Sequence, residues 1–148
     1  LYNANLEIAK TALSCYETPD FETLKSLIHA DVEHQSPMYG QGIVNYEGVI
    51  GQAKFYMEGF KNVSFEDPIW LPGVDSETLA TDGSVRVYGT WKGVSVETGK
   101  SFSVDAYHYF DVQDGLIIKS GDYFDATGMV MAVSAPAEVE VAPAADSE

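Results

Sequence analysis

The stretch Ser101–Phe124, SFSVDAYHYFDVQDGLIIKSGDYF, decides the fold. Its first half alternates. Phe102, Val104, Ala106, His108 and Phe110 fall on one side of an extended chain, and Ser103, Asp105, Tyr107 and Tyr109 on the other. The first set is the more apolar and is expected to face a core. Asp114-Gly115 is a hairpin signal, and Leu116–Phe124 supplies the returning strand. Loop length sets which residues of that strand share the apolar side. A two-residue loop at Asp114-Gly115 would turn Asp122 outward. A three-residue loop, Gln113–Gly115, pairs Val112 with Leu116, His108 with Ser120 and Ala106 with Asp122. That register is the expectation adopted here. It brings Ile118, Ser120, Asp122 and Phe124 to the side of His108.

Working outward, the preceding chain has the same period of two. Ser84–Val96 and Val63–Leu71 read as strands, separated by turns at Pro72-Gly73 and Asp82-Gly83. Upstream the period changes to that of a helix. Asn3–Tyr16 carries Leu6, Ile8, Ala9, Ala12, Leu13 and Tyr16 at helical spacing. Thr18-Pro19-Asp20 stops it, and Asp20 is placed to cap a second helix bearing Phe21, Leu24, Leu27 and Ile28. Ala30–Ser36 reads as a short strand ended by Pro37, and a third helix runs over about Glu47–Lys61. The order is α-α-β-α-β-β-β-β. Helices followed by an antiparallel meander argue for an α+β fold. From Ser134 the composition shifts to Ala, Pro, Val and Glu, which predicts a flexible acidic tail over 134–148 after a domain over 1–133.

The chain has 148 residues and is 45% hydrophobic, enough for one domain with its own core. Its net charge is −15, of which the tail residues Glu138, Glu140, Asp146 and Glu148 account for four, leaving −11 on the domain. Such a surface repels phosphate backbones and anionic lipid headgroups, so neither nucleic acid nor membrane is an expected partner. No run of about 18 apolar residues exists. Cys15 is the only cysteine, so cysteine content neither demands nor excludes export. The chain begins at Leu1 rather than Met, which fits a trimmed or processed protein, and the compartment is left undefined.

The order of elements, and above all Tyr109-Phe110-Asp111, Asp114-Gly115 and Gly121-Asp122-Tyr123-Phe124-Asp125, resembles the nuclear-transport-factor-2-like superfamily and its SnoaL-like group. That group includes polyketide cyclases, limonene-epoxide hydrolase relatives and ketosteroid isomerases. The resemblance, over about Asn3–Val133, implies a cone-shaped, curved antiparallel sheet wrapped around the three helices, with a pocket at the wide end. It also implies a small organic ligand. The polyketide cyclases use a pocket aspartate on the last strand with a histidine on the strand before it, and Asp122 and His108 stand at those positions. A carboxylate facing an apolar pocket is expected to have a raised pKa, as acid/base work near neutral pH requires. The ketosteroid isomerase pattern fits less well. Its base would fall at Ser36, its oxyanion acid at Ala106 and its helix-one tyrosine near Ala12, with Tyr16 one turn on. The Arg and Asp, two apart, of the epoxide hydrolases have no counterpart in Tyr88–Lys92.

The catalytic candidates are therefore Asp122 and His108. The ligand-binding candidates are Tyr16, His34, Ser36, Ala106, Ser120 and Phe124. A structural Asp–His pair in a pocket that binds a ligand without chemistry is the alternative. His34 and Ser36, two apart, share a strand face. His29 is expected at the end of the second helix, where a cation suits the helix dipole. No H-x-H or H-E-x-x-H spacing occurs, so neither a metal nor a cofactor is expected. Tyr16, Tyr39, Tyr46, Tyr56, Tyr88, Trp70 and Trp91 offer aromatic walls with polar tips. Of the outward set, Tyr107, Tyr109 and Trp91 are candidates for a homodimer interface on the outer face of the sheet, as the resemblance implies.

Overall fold

The computed structural model describes residues 1–135. The expected tail lies outside the described residues from position 136 on. Helices α1 (Tyr2–Glu17) and α2 (Phe21–Leu27) lead into strand β1 (Ile28–Gln35), the short β2 (Ile43–Val44) and helix α3 (Tyr46–Gly59). Four strands follow: β3 (Phe60–Val74), β4 (Thr81–Ser95), β5 (Ser101–Gln113) and β6 (Leu116–Tyr123). Helix α4 (Ala126–Val133) closes the described chain. No helix among these residues is long and apolar enough to cross a membrane.

The helix starts are set by local side chains. Asp20 accepts a hydrogen bond from the Thr23 backbone N–H, Asn45 from that of Gly48, and Asp125 from that of Gly128. Sequence periodicity did not disclose α4, where only Ala126, Met129 and Val133 are buried. It is eight residues long and contains Gly128 and β-branched residues, all of which weaken a helical signal. β1 begins earlier than expected and takes His29 with it. That residue is therefore in a strand, where its Nδ1 accepts from the Asp31 N–H at 3.0 Å instead of capping a helix.

The six strands form one curved, unclosed sheet in the order β2-β1-β6-β5-β4-β3. All pairs are antiparallel except β1 with β6. β3 breaks register three times against β4, and Asn62 and Asp67 there take positive φ, as residues of β-bulges do. These bulges bend the long β3–β4 ribbon. The concave side packs on α1, α2 and α3 through Ala9, Leu13, Leu24, Val49, Val85, Val87 and Ile117. A second cluster of Phe60, Met129 and Val133 seats α4.

The β5–β6 hairpin differs from the expected register in an instructive way. The loop has two residues, with Asp114 at φ 53° and Gly115 at φ 77°, the geometry of a type I′ turn. Gln113 pairs with Leu116 and Val112 with Ile117. The register then shifts between Asp111 and Val112, so that Asp111 meets Lys119 and Ile118 is the extra residue. Past that bulge Phe110 faces Ser120, and His108 lies directly opposite Asp122. The bulge restores the parity that a two-residue turn alone would invert. It also makes Ile117, fully buried, the inward residue in place of Ile118.

Candidate active site

A cavity of about 90 Å³ lies between the concave sheet face and the helices. Most of its wall is apolar: Leu13 of α1, Leu24 of α2, Val49 of α3, Phe60 and Val63 of β3, Phe102, Val104 and Phe110 of β5, and Phe124 and Met129 near α4. The polar part of the wall comes from three neighbouring strands. β1, β6 and β5 lie side by side, and their pairing places His34 beside Ser120 and His108 beside Asp122. A row His34–Asp122–His108 results. Both histidines are almost fully buried, at 4% and 3% exposure.

Asp122 receives three side-chain contacts. His108 Nδ1 lies 2.6 Å from Oδ1, and His34 Nε2 lies 3.1 Å from Oδ2. Gln52 Nε2, from α3, donates to Oδ2 at 2.7 Å. Chemistry assigns the protons. Trp91 Nε1–H is a donor only, and it donates to His108 Nε2 at 2.9 Å. That nitrogen therefore carries a lone pair, so His108 is a neutral imidazole whose Nδ1–H donates to Asp122. His34 is held differently. Its Nε2 side faces the carboxylate, and its Nδ1 lies 2.7 Å from Ser120 Oγ. A serine hydroxyl can donate or accept. The His34–Ser120 contact therefore suits both the neutral ring and the imidazolium.

Burial is the largest influence on Asp122 and pushes its carboxyl up. His34 and His108, whose ring N–H groups are aimed at its oxygens, outweigh it and hold the group below the usual carboxylate range. The expectation of a raised pKa is thus corrected. An aspartate in an apolar cavity would resist ionisation, but this one sits among aimed donors. The Tyr16 hydroxyl is pushed far up by burial first and by the charge of Asp122 second, and the Tyr56 hydroxyl is pushed up by the same two causes. Both are phenols at any ordinary pH. The Tyr56 Oη is buried with no hydrogen-bond partner.

The structure brings together Asp122, His108, His34, Ser120, Tyr16 and Phe124 around the cavity. Ser36 and Ala106 are buried but do not line it. Ser36 turns into its own loop, donating to Gln41 Oε1 at 2.7 Å and accepting from the Met38 N–H at 3.2 Å. Trp91, offered both as a pocket wall and for the outer face, is inside, stacked on Phe65 with ring centroids 4.5 Å apart and bonded to His108. Of the other aromatic residues singled out, Tyr56 lines the cavity, while Tyr39 and Tyr88 are exposed. Gln52 was not singled out. It sits on α3 one turn before Tyr56 and one turn after Val49, so only its i, i+3, i+4 relation to those two marks its inward face. No group of three or more His, Cys, Asp or Glu among the described residues could hold a metal ion. The ring nitrogens of the row are aimed at the Asp122 oxygens, at Ser120 and at Trp91, so their lone pairs do not converge on a common point.

A curved, unclosed sheet wrapped on helices, with a polar row in its hollow, defines the nuclear-transport-factor-2-like class of α+β folds. Within that class, a SnoaL-like domain model matches residues 9–120, and the chain belongs to the SnoaL-like family. Solved structures agree on the fold. A Bacillus subtilis protein to which an isomerase activity is ascribed is similar at a TM-score of 0.73 and 16% identity, over 88% of this chain and 93% of that one. A Pseudomonas putida KT2440 protein to which a polyketide cyclase activity is ascribed is similar at 0.69 and 14%, over 88% and 98%. A Catenulispora acidiphila DSM 44928 protein with a ketosteroid isomerase-like fold, solved in complex with trimethylamine, is similar at 0.63 and 14%, over 88% and 94%. Among curated proteins none matches the chain.

Proposed function

We propose that the cavity binds a small, largely apolar organic molecule and that the row on β1, β6 and β5 performs acid–base chemistry on it, of the isomerase, cyclase or hydrolase kind. The observation that carries this reading is the carboxyl group of Asp122 in the wall of an otherwise apolar cavity, with His34 between it and the Ser120 hydroxyl. Neutral His34 donates from Nε2 to Asp122 and accepts from Ser120 at Nδ1. A proton released by a ligand passes to Ser120 Oγ as the Ser120 proton moves to His34 Nδ1. The imidazolium so formed is neutralised by Asp122, whose low pKa keeps the carboxylate charged throughout. His108, fixed by Trp91, orients the carboxylate. Asp122 therefore serves as the charged anchor of the row and His34 as its proton carrier.

The reading is tested by hydrogen–deuterium exchange at carbons next to the carbonyl of small cyclic ketones in deuterated buffer, followed by proton NMR. The wild-type protein should accelerate exchange, and His34→Gln should reduce the acceleration at least tenfold. Exchange no faster than with buffer alone across such a panel would leave the pocket with binding but no proton chemistry.

A second copy of the chain is proposed as the occupant of the outer sheet face. Tyr107, Tyr109 and Tyr123 cluster there, with ring centroids 5.9 and 6.4 Å apart in the two pairs that Tyr123 makes. Arg86, Lys92 and Lys119, three of the chain's eight cations, lie on the same face among Glu33, Glu66 and Asp105. In a chain of net charge −15, a face with this charge mixture is where two copies repel least. Sedimentation equilibrium tests it, and a monomer at all concentrations rules it out.

A further inference from the structure

The row in the cavity wall spends its donors and keeps acceptors. The Trp91 N–H goes to His108 Nε2, and the N–H groups of His108, His34 and Gln52 all converge on Asp122. They fill three of the roughly four acceptor positions of a carboxylate and leave one open. Asp122 lines the cavity and keeps 15% of its side chain exposed, against 6% and 4% for His34 and His108. Gln52 turns its nitrogen to Asp122, so its Oε1 is left as a second acceptor, without a partner among the described residues. Tyr16 Oη in the same wall accepts as readily as it donates. The Tyr56 hydroxyl is sealed by its neighbours and takes no part.

Charge balance leads to the same place. Three donors and no acceptor face the Asp122 oxygens, the surroundings of a carboxylate rather than of an acid. Buried charges are paired, because an isolated one resists leaving water. Among the residues lining the cavity there is no Lys or Arg. Trp91 keeps His108 neutral, and His34 meets Asp122 as a neutral ring. The wall thus holds an anion that has hydrogen bonds but no cation. Outside it, a chain of net charge −15 draws cations toward the protein and repels anions.

We infer that the cavity takes an organic ammonium ion, a protonated amine on an apolar skeleton, with its N–H groups directed at the open position of Asp122 and at Gln52 Oε1. The ligand then supplies both what the wall lacks, a positive charge, and what its free atoms can accept, a hydrogen. The skeleton meets Leu13, Val49, Phe60, Phe102 and Phe124, and the aromatic rings among these tolerate a nearby cation as aliphatic side chains do not. The inference rests on the reading of the cavity as a pocket for an organic molecule and is independent of the proton chemistry proposed there.

Three probes built on one ring test it: cyclohexylamine, cyclohexanone and cyclohexanecarboxylate. Affinities are read by NMR chemical-shift titration at about pH 7.5, where an alkylamine is protonated. Wild type should bind the ammonium ion about tenfold more tightly than the ketone, and the carboxylate least. Asp122→Asn should bring ammonium and ketone to within about threefold of each other. Gln52→Leu keeps the charge and serves where Asp122→Asn does not fold. It should weaken the ammonium ion about threefold and leave the ketone within about twofold of wild type, which also shows that the variant is folded. In the free protein, nitrogen-15 shifts should show His34 as a neutral imidazole. An imidazolium there would supply the counter-ion from within and overturn the inference. Ketone bound as tightly as ammonium by wild type, or both weakened equally by the substitutions, overturns it while the pocket stands. Failure of all three probes to bind wild type overturns the pocket reading itself and this inference with it.

Discussion

The two ends of the cavity obey opposite rules. At the β1–β6–β5 end, Asp122 is charged and held by His34, His108 and Gln52, with Trp91 and Ser120 behind the imidazoles. At the end toward α4, Phe60, Phe102, Phe124 and Met129 form a dry wall, and one hydroxyl, that of Tyr56, has no bond. The polar end is closed upon itself and the apolar end has an unmet donor. A charge can be buried in this fold only by ordering several strands and a helix around it, and that order leaves the charge few bonds for a ligand.

The largest way to break the comparison is to remove the charge. Asp122→Ala leaves two buried imidazole N–H groups and the Gln52 amide without their acceptor, and should cost about 3–5 kcal/mol in urea unfolding. Asp122→Asn should cost somewhat less. Its amide presents an N–H where one of the present donors now points, and His108 cannot exchange tautomers to receive it while Trp91 donates to Nε2. A loss below about 1 kcal/mol for both variants would mean the row is loosely held. The pH dependence has a definite sign. The folded pKa of Asp122 is depressed, so its contribution is present above the unfolded value near 4 and is lost as pH falls below it. Wild type should therefore lose more stability than Asp122→Asn in that acidic window.

Next in size is the tautomer lock. Trp91→Phe keeps a ring against Phe65 and deletes the donor to His108 Nε2, at about 1–3 kcal/mol. Ring nitrogen-15 shifts should show His108 in wild type as a neutral imidazole protonated at Nδ1, and should lose that uniqueness in the variant. A wild-type His108 protonated at both nitrogens would refute the lock.

Much of this was legible in the sequence, and the gaps have physical causes. Alternation over Phe102–Phe110 placed His108 inward because each strand residue points opposite its neighbour. The position of Asp122 was reached through the wrong register. Two errors cancelled there, since the two-residue turn was weighed and set aside and the bulge at Ile118 was not foreseen, a bulge leaving no periodic trace. Trp91 was left open between the pocket wall and the outer face, and the glycines at 89 and 93 of β4 leave few side chains from which to read its parity. In the fold both make room for aromatic rings, Phe65 at Gly89 and Phe102 at Gly93. Gln52 and the loneliness of the Tyr56 hydroxyl depend on helix α3 crossing the sheet, a relation that no local pattern encodes.

The two buried phenols of the cavity wall predict an alkaline effect of smaller size. Tyr16 and Tyr56 have pKa values raised above the unfolded value near 10, so their contribution is complete below that pH and is lost as pH rises through and beyond it. Absorbance at about 295 nm should show these phenols ionising only as the protein unfolds. Replacing both with Phe should flatten the alkaline limb of the stability curve. Ionisation of Tyr16 and Tyr56 in the still-folded protein would contradict the burial assigned to them.

The smallest effect on the fold is expected outside the cavity, and it sharpens the contrast between the two faces of the β5–β6 hairpin. Asp122 and Tyr123 are neighbours in the chain, one inward among donors and one outward at 53% exposure. Tyr123→Ser removes ring contacts with Tyr107 and Tyr109 but creates no cavity and leaves no buried group unpaired. At protein concentrations low enough to separate any copies, it should shift stability by about 0.5 kcal/mol or less. At high concentration the expected outcome differs if a second copy covers this face: the variant should sediment as a monomer where wild type does not, and wild-type stability should rise with concentration. A Tyr123→Ser protein as destabilised as Asp122→Ala, independent of concentration, would show that the outer ring cluster holds the hairpin together and that the division of labour between its faces is wrong.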